Sequence, residues 1–252
     1  MQQRFVFWLA ASALFVPLIL SNDGPGAVRQ LTLAVGTAGF LLLLLRASRV
    51  EVSLVLIAIL VATIGECVLS LGWGLYRYHY ALLPFYVPVG HGLFFTLAAW
   101  SSRQPAMQRR EQQIYRWVLL GGSAAAVGSF LLANDQWGLL WWLLAATLLM
   151  RSRNRLLLSL CFVYTYALEW LGTSLGNWRW MPLVPGLGLR CANPPSGVGV
   201  LYVVLDLITV SIWTSLFALR PAATTRSVLP CDIHQLPARE VCGGGESVSN
   251  AG

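Results

Sequence analysis

The sequence contains no lysine, so all 17 of its basic residues are arginine. This absence excludes a retinal Schiff base, a lysine nucleophile and the lysine of a phosphate-binding loop. Charge of either sign is also scarce, because charged residues make up only 11% of the chain, against about 25% in a soluble domain. Hydrophobic residues make up 57%, and the mean hydropathy is +0.66. The composition therefore indicates a membrane protein.

Motifs that would hold a metal or a cofactor are also missing. The five cysteines form no CxxC pair, which argues against a disulfide framework or a cysteine-rich metal centre. No phosphate-binding loop, GxSxG elbow or HExxH helix occurs, so we expect neither cofactor nor metal. Cys231, His234 and Cys242 near the C-terminus match no closed zinc site. The arginines form no contiguous basic surface with aromatic residues, so nucleic acid is not an expected partner.

Long apolar runs predict an all-α integral membrane protein with about eight transmembrane helices. A helix needs roughly 17–25 largely apolar residues to cross a bilayer. The candidate spans are Phe5–Leu20, Val28–Leu45, Val52–Leu71, Pro84–Trp100, Trp117–Ala133, Trp137–Met150, Leu156–Leu175 and Val198–Leu219. The segment 221–252 is rich in Gly, Ser, Pro and Thr, and it is expected to be a disordered cytoplasmic tail.

The arginines predict the orientation. With a cytoplasmic N-terminus, 13 arginines fall in inner segments and four in outer loops, the four being Arg29, Arg77, Arg179 and Arg190. By the positive-inside rule, both termini are then cytoplasmic, in a bacterial-type inner membrane.

Landmarks recur in the same order in the two halves of the chain. Arg4 and Asn22-Asp23 recur 112 residues later as Arg116 and Asn134-Asp135. Glu66, the Gly74–Tyr78 segment and Pro88-x-Gly-x-Gly recur as Glu169, Gly176–Trp180 and Pro195-x-Gly-x-Gly. This order predicts two parallel four-helix repeats, residues 1–116 and 117–220, related by an axis near the membrane normal.

Three acidic residues and one histidine fall inside predicted spans: Glu66, Glu169, Asp206 and His91. A charge near the bilayer centre costs several kcal/mol, so these side chains should face the bundle interior and each other. We expect them to be catalytic, as acid–base groups of one site. The alternative is that they join helices by hydrogen bonds.

The loop after each glutamate carries aromatic residues around an arginine. We expect these loops to contact substrate through Trp73, Tyr76, Arg77, Tyr78, Trp178, Arg179, Trp180 and Asn193. The alternative is an interfacial belt of aromatics with arginines extended toward the headgroups.

The chemistry that such residues support is proton transfer to an apolar substrate. A carboxyl group in an apolar cavity can hold a proton and donate it to an alkene or epoxide. Aromatic faces can stabilise the carbocation that results, and water capture or proton loss then gives hydration or cyclisation.

Two sets of residues resemble the glutamate motif of membrane carotenoid hydratases of the bacterioruberin type. They are Glu169-Trp-Leu-Gly-Thr173 with Gly176 and Trp178-x-Trp180, and Glu66 with Gly74, Tyr76-x-Tyr78, Pro84 and Val87-Pro88. The resemblance implies a polytopic enzyme that adds water to the end of a long carotenoid. It implies roles for the two glutamates and the two aromatic pairs, whereas His91 and the Asn193–Gly197 loop lie outside the motif. The paired carboxyls also resemble those of small membrane terpene cyclases.

Two other classes of function remain open at this stage. Parallel repeats and intramembrane acids are shared with secondary transporters of lipids or small molecules. A non-catalytic membrane protein that assembles with partners would use the same polar stripes to join helices. In each case the lipid bilayer is the expected surrounding, and in the enzyme hypothesis a membrane lipid or isoprenoid is the substrate.

Overall fold

The structure is a computed structural model that describes residues 2–80 and 82–217, and helices dominate it. The elements are α1 (Gln2–Ser21), α2 (Ala27–Ser48), α3 (Val52–Glu66), a π-helical segment (Cys67–Gly72), β1 (Tyr76–Tyr78), α4 (Tyr86–Ser102), α5 (Pro105–Gln108), α6 (Glu111–Ala133), α7 (Gln136–Arg151), α8 (Arg155–Ser174), β2 (Trp178–Trp180) and α9 (Gly199–Phe217). A helix overlaps each of the eight segments chosen from the sequence.

Six of these helices, α1, α2, α3 with its π-helical extension, α6, α8 and α9, are long and apolar enough to cross a membrane. The prediction of a mostly helical membrane protein is therefore confirmed. Helices α4 and α7 have 17 and 16 residues, so the count of eight spans stays a prediction, as does the repeat. The end of the last predicted span at Leu219, the 221–252 tail and its Cys231, His234 and Cys242 lie outside the described residues.

Four helices form the centre of the bundle. Helix α4 packs against α2, α3 and α8, while α9 packs against α3 and α8. Helices α6 and α7 pack against each other on one side, and α1 contacts α2 on the other. Among the six helices long enough to cross a membrane, the buried share of the apolar stretch is largest in α8, at 61%, and it is only 17% in α1. Side chains on α3, α4, α8 and α9 therefore meet in the interior.

The two short strands pair with each other across the halves of the chain. They form an antiparallel ladder in which Arg77 lies opposite Arg179, with Tyr76 opposite Trp180 and Tyr78 opposite Trp178. Glycines at a positive φ, Gly74 (74°) and Gly176 (77°), turn the chain from each helix into its strand. We call the end of the bundle that carries this ladder the strand end.

The π-helical segment follows Glu66 directly and has no counterpart after Glu169, where α8 continues to Ser174. Ten positions separate Glu66 from Tyr76, but nine separate Glu169 from Trp178. A π-helical turn holds one more residue than an α-helical turn. The extra residue is therefore accommodated inside the helix, and both aromatic pairs reach their glutamates.

Candidate functional site

Glu66 and Glu169 are buried near the strand end, at the close of α3 and in the last turns of α8. Their exposed fractions are 6% and 5%. Burial of a carboxyl group is costly unless hydrogen bonds compensate it. The surroundings of both groups supply such bonds, in two closely matching sets.

The first set of donors comes from the strands. Side chains alternate between the two faces of a strand, so both aromatic rings of each strand point into the bundle while Arg77 and Arg179 point away and are exposed. The hydroxyls of Tyr76 and Tyr78 donate to Oε2 of Glu66 over 2.7 and 2.9 Å. The indoles of Trp178 and Trp180 donate to Oε2 of Glu169 over 2.8 and 3.1 Å.

The second set comes from the helix that follows each strand. Nε2 of His91, on α4, lies 3.0 Å from Oε1 of Glu66. The Tyr202 hydroxyl, on α9, donates to Oε1 of Glu169 over 2.9 Å. The rings of His91 and Tyr202 stack on each other, with centroids 5.0 Å apart. One continuous series of contacts thus joins the two carboxyls.

The chemistry of the donors fixes where Glu169 can carry a proton. An indole N–H donates but cannot accept, so Oε2, which receives two of them, has to remain an unprotonated acceptor. A proton on Glu169 would therefore sit on Oε1. Its neighbour there is the Tyr202 hydroxyl, which can accept as well as donate.

The tyrosines on β1 keep their own protons. Burial, reinforced by the negative charge of Glu66, raises the pKa of both Tyr76 and Tyr78 well above its usual value. Both hydroxyls therefore remain donors to Glu66 at neutral pH.

An apolar cavity of about 60 Å³ borders this cluster, and we call it the site cavity. Glu169, His91 and Tyr202 line it, together with the rings of Tyr78 and Trp178. Glu66 does not line the site cavity; it borders a separate space of about 10 Å³, enough for about one water molecule, which Glu169, His91 and Tyr202 also line. Glu169 is thus the carboxyl group that faces the site cavity.

Two buried aspartates fix the strand end around the site. Asp23 accepts hydrogen bonds from Gln30, from the Tyr86 hydroxyl of α4 and from Asn177, the residue before β2. Asp135, with an exposed fraction of 0%, accepts from the backbone N–H groups of 138, 192 and 196 and from the hydroxyl of residue 129. Asp23 follows α1 and joins it by hydrogen bonds to the start of α4. Asp135 follows α6 and joins it in the same way to the segment just before α9.

The structure brings together seven of the twelve residues predicted for the site: Glu66, Tyr76, Tyr78, His91, Glu169, Trp178 and Trp180. It places the other five elsewhere. Arg77 and Arg179 lie on the outward face of the ladder. Trp73 is 39% exposed and donates to the carbonyl of Pro185, and Asn193 accepts from the backbone N–H of Trp180.

Asp206 is the fifth. It is buried on α9, one helical turn beyond Tyr202, and it lines neither the site cavity nor the space beside Glu66. Its Oδ2 has no hydrogen-bond partner in the described part of the chain. The expectation that Asp206 acts with the other three acid–base groups stays a prediction.

Sequence reasoning missed Tyr202 as a site residue, although it stands four positions before Asp206 on the same helix face. It also missed Tyr86, Asp23 and Asp135 as contacts, although both aspartates were recognised as repeat landmarks. Within residues 2–80 and 82–217, no group of three or more His, Cys, Asp or Glu side chains could hold a metal ion.

Comparison of the chain with protein families, with curated proteins and with solved structures found no match.

Proposed function

We propose that the protein is a multi-pass membrane enzyme that performs acid–base chemistry on an isoprenoid or carotenoid-type lipid, either adding water or closing a ring. The observation that carries the proposal is the pair of buried carboxyls joined through His91 and Tyr202 beside an apolar cavity. With both termini cytoplasmic in a bacterial-type inner membrane, as the arginines predict, the site opens to the outer half of the bilayer.

Glu169 is the proton donor in this proposal. Its Oε1 is the oxygen that can carry a proton, and the residue faces the site cavity. Transfer of that proton to one carbon of an alkene leaves the other carbon as a carbocation and Glu169 as a carboxylate. The two indole N–H groups and the Tyr202 hydroxyl stabilise that carboxylate.

Aromatic faces then stabilise the carbocation. Tyr78 and Trp178 line the site cavity, and a cation over such a ring gains about 0.5–2 kcal/mol. The apolar lining keeps the cation away from bulk water, so capture occurs at a chosen position.

His91 and Glu66 complete the reaction. A water molecule beside His91 adds its oxygen to the carbocation and gives a proton to the imidazole, whose positive charge Glu66 stabilises from the other side. Alkene and water thus become an alcohol, and return of one proton to Glu169 restores the enzyme. In the cyclisation variant, a second alkene attacks the carbocation and the proton lost from the ring goes to His91.

Mass spectrometry of lipid extracts from a carotenoid-producing bacterial host, with and without the protein, tests the proposal. Hydration gives a pigment heavier by one water, and cyclisation gives an isomer of unchanged mass. Glu169→Gln and Glu66→Gln should abolish the product at unchanged expression. The matched control is Glu51→Gln, at the exposed residue just before α3, which should leave the product intact.

The glutamine variants are suited to this test because they preserve the packing. In Glu169→Gln, the amide oxygen can accept from both indoles while the amide nitrogen donates to the Tyr202 hydroxyl. If the wild type forms no product and both glutamine variants only lower thermal stability, the carboxyls serve to join helices and the proposal is wrong.

A further inference from the structure

A second, larger cavity of about 300 Å³ adjoins the site cavity, on the side away from the strand end. It lies between α1, α4 and α8, and we call it the lateral groove. Its lining residues are Leu9, Ser12, Ala13, Val16, Pro17, Phe94, Leu97, Tyr164, Ala167, Leu168 and Leu171. Three of them, Val16, Phe94 and Leu168, also line the site cavity, so these side chains separate the two spaces.

The lateral groove offers a ligand little polar surface, because only two of its lining side chains are polar. Its two polar side chains are already partnered: Ser12 donates to the carbonyl of Trp8, and the Tyr164 hydroxyl pairs with Ser101. Polar groups appear only beyond the three shared side chains, at His91, Glu169 and Tyr202. A molecule that occupies both spaces must be hydrocarbon along the groove and must react at its end.

Helix α1 leaves the groove accessible from the bilayer. Only Phe5, Ser12 and Leu20 are buried along its 20 residues, whereas its other sides expose large apolar side chains. Pro17 stands within the helix and lines the groove, and a proline there removes one helical hydrogen bond. The groove wall on this side is thus a peripheral helix, interrupted in its hydrogen bonding beside the cavity.

The strand end, in contrast, is closed by rings that hydrogen bonds hold in place. Tyr78 is bound to Glu66, Trp178 to Glu169 and Tyr86 to Asp23. Opening the site from that side would break several of these bonds, whereas entry along the groove breaks none of them.

The length of the groove indicates how much of a substrate the protein holds. From Leu9 to Leu20, the α1 residues that line the two cavities span about 16 Å of helix axis. This is roughly half of the hydrocarbon thickness of a bilayer. A long substrate would have one end in the protein and the remainder in the lipid.

We propose that the lateral groove admits the apolar end of a long hydrocarbon chain, sideways from the bilayer, and delivers that end to Glu169. This inference rests on the proposed function and adds to it the route of entry and the class of substrate. The end that enters carries no polar headgroup, because a charged end would have to pass the apolar side chains of Val16, Phe94 and Leu168. A phospholipid headgroup or a free carboxylate is thereby excluded from the site.

Photolabelling of the full chain in phosphatidylcholine vesicles tests the proposal. The first probe is a long alkane with a diazirine at its end, and the second is a fatty acid with its diazirine beside the carboxylate. Mass spectrometry of the digested protein then locates the label. We expect the alkane to label the lateral groove and the segment around His91, and the fatty acid to leave that segment unlabelled.

Variants that fill the groove test the route, and a matched variant outside the groove is the control. Ala13→Phe on α1 and Ala167→Phe on α8 introduce a ring from opposite walls, at exposed positions where folding should tolerate it. Each should lower labelling around His91 several-fold. Ala124→Phe, at an exposed position of α6 that lines neither cavity, should not.

The outcomes separate this inference from the proposed function. Two results would contradict entry through the lateral groove. One is label spread evenly over lipid-facing side chains, and the other is equal labelling around His91 in Ala13→Phe, Ala167→Phe and Ala124→Phe. Groove labelling that the filling variants abolish supports it, even if Glu169→Gln fails to change any pigment and the proposed reaction is thereby rejected.

Discussion

The imidazole of His91 lies against the phenol ring of Tyr202 with an interplanar angle of 23°, and this contact joins the two halves of the site. His91 also forms a hydrogen bond with the carboxyl of Glu66, and the Tyr202 hydroxyl donates to the carboxyl of Glu169. In the alignment of the halves, His91 corresponds to Val198 and not to Tyr202. Different positions on α4 and α9 therefore provide equivalent contacts to the two carboxyls.

Replacing Tyr202 by Phe separates its two contacts. The ring can stay on His91, but Oε1 of Glu169 loses its donor. We expect the free energy of unfolding to fall by about 1–3 kcal/mol and product formation to fall as well, measured by thermal unfolding in detergent and by pigment analysis. Tyr166→Phe is the control, because the Tyr166 ring stacks on Phe162 while no hydrogen bond of its hydroxyl is found among the described residues. Equal losses in both variants would contradict the role of the Tyr202 hydroxyl.

Substitution of Gly172 by Ala tests the packing beneath the indoles. A Cβ at Gly172 would overlap the ring of Trp178, which would have to move away from Glu169. Overpacking of this kind costs about 1–3 kcal/mol, so the melting temperature should fall. Gly121→Ala in α6 meets open space and should be neutral or stabilising by about 0.5–1 kcal/mol. A Gly172→Ala protein as stable as the Gly121→Ala protein would show that Trp178 is not confined here.

Alkaline pH should destabilise the fold through the tyrosines of β1. Burial, then the charge of Glu66, raises the pKa of Tyr76 in the folded state, while the unfolded side chain titrates near its ordinary value of about 10. The tyrosine therefore leaves the free energy of unfolding unchanged below pH about 10. As pH rises further, that free energy falls by up to about 1.4 kcal/mol per pH unit for each such tyrosine. Unfolding measured across this range should have a smaller pH slope in Tyr76→Phe. An unchanged slope would mean that Tyr76 ionises in the folded protein.

Asp23 and Asp135 should differ in their tolerance of Asn. Three partners of Asp135 are backbone N–H groups that cannot reorient, so an amide nitrogen there leaves at least one of them without an acceptor. Three partners of Asp23 are the side chains of Gln30, Tyr86 and Asn177, and the Tyr86 hydroxyl can rotate to accept. We expect Asp135→Asn to cost about 1–3 kcal/mol more than Asp23→Asn. A larger loss in Asp23→Asn would contradict this ranking.

Much of the fold and the residue types of the site could be predicted from the sequence. Apolar runs indicate the helices, and the burial cost of a carboxyl group predicts that Glu66 and Glu169 face inward. The alternation in Tyr76-Arg77-Tyr78 and Trp178-Arg179-Trp180 also carries information, because it puts the rings on one face and the arginines on the other.

What the sequence does not reveal is the pairing between distant segments. Asn177 meets Asp23 over 154 positions, and nothing local to either residue specifies the partner. The aromatic rings posed a similar problem, since an interfacial belt and a buried hydrogen-bonding layer need the same residue types. Asp206 shows the reverse case, because its depth could be predicted but its separation from the site cavity depends on how α9 is rotated.

The π-helical segment after Glu66 bears on how the chain tolerates changes of length. In an ordinary helix, one inserted residue rotates everything beyond it by about 100° and would carry Tyr76 and Tyr78 away from their carboxyl. Here the added residue widens a single turn, and the ladder with β2 keeps its register. Deletion of one residue within Cys67–Gly72, which would leave an ordinary α-helical turn like the one after Glu169, is thus a change that a lineage of such proteins can accept without rebuilding the site.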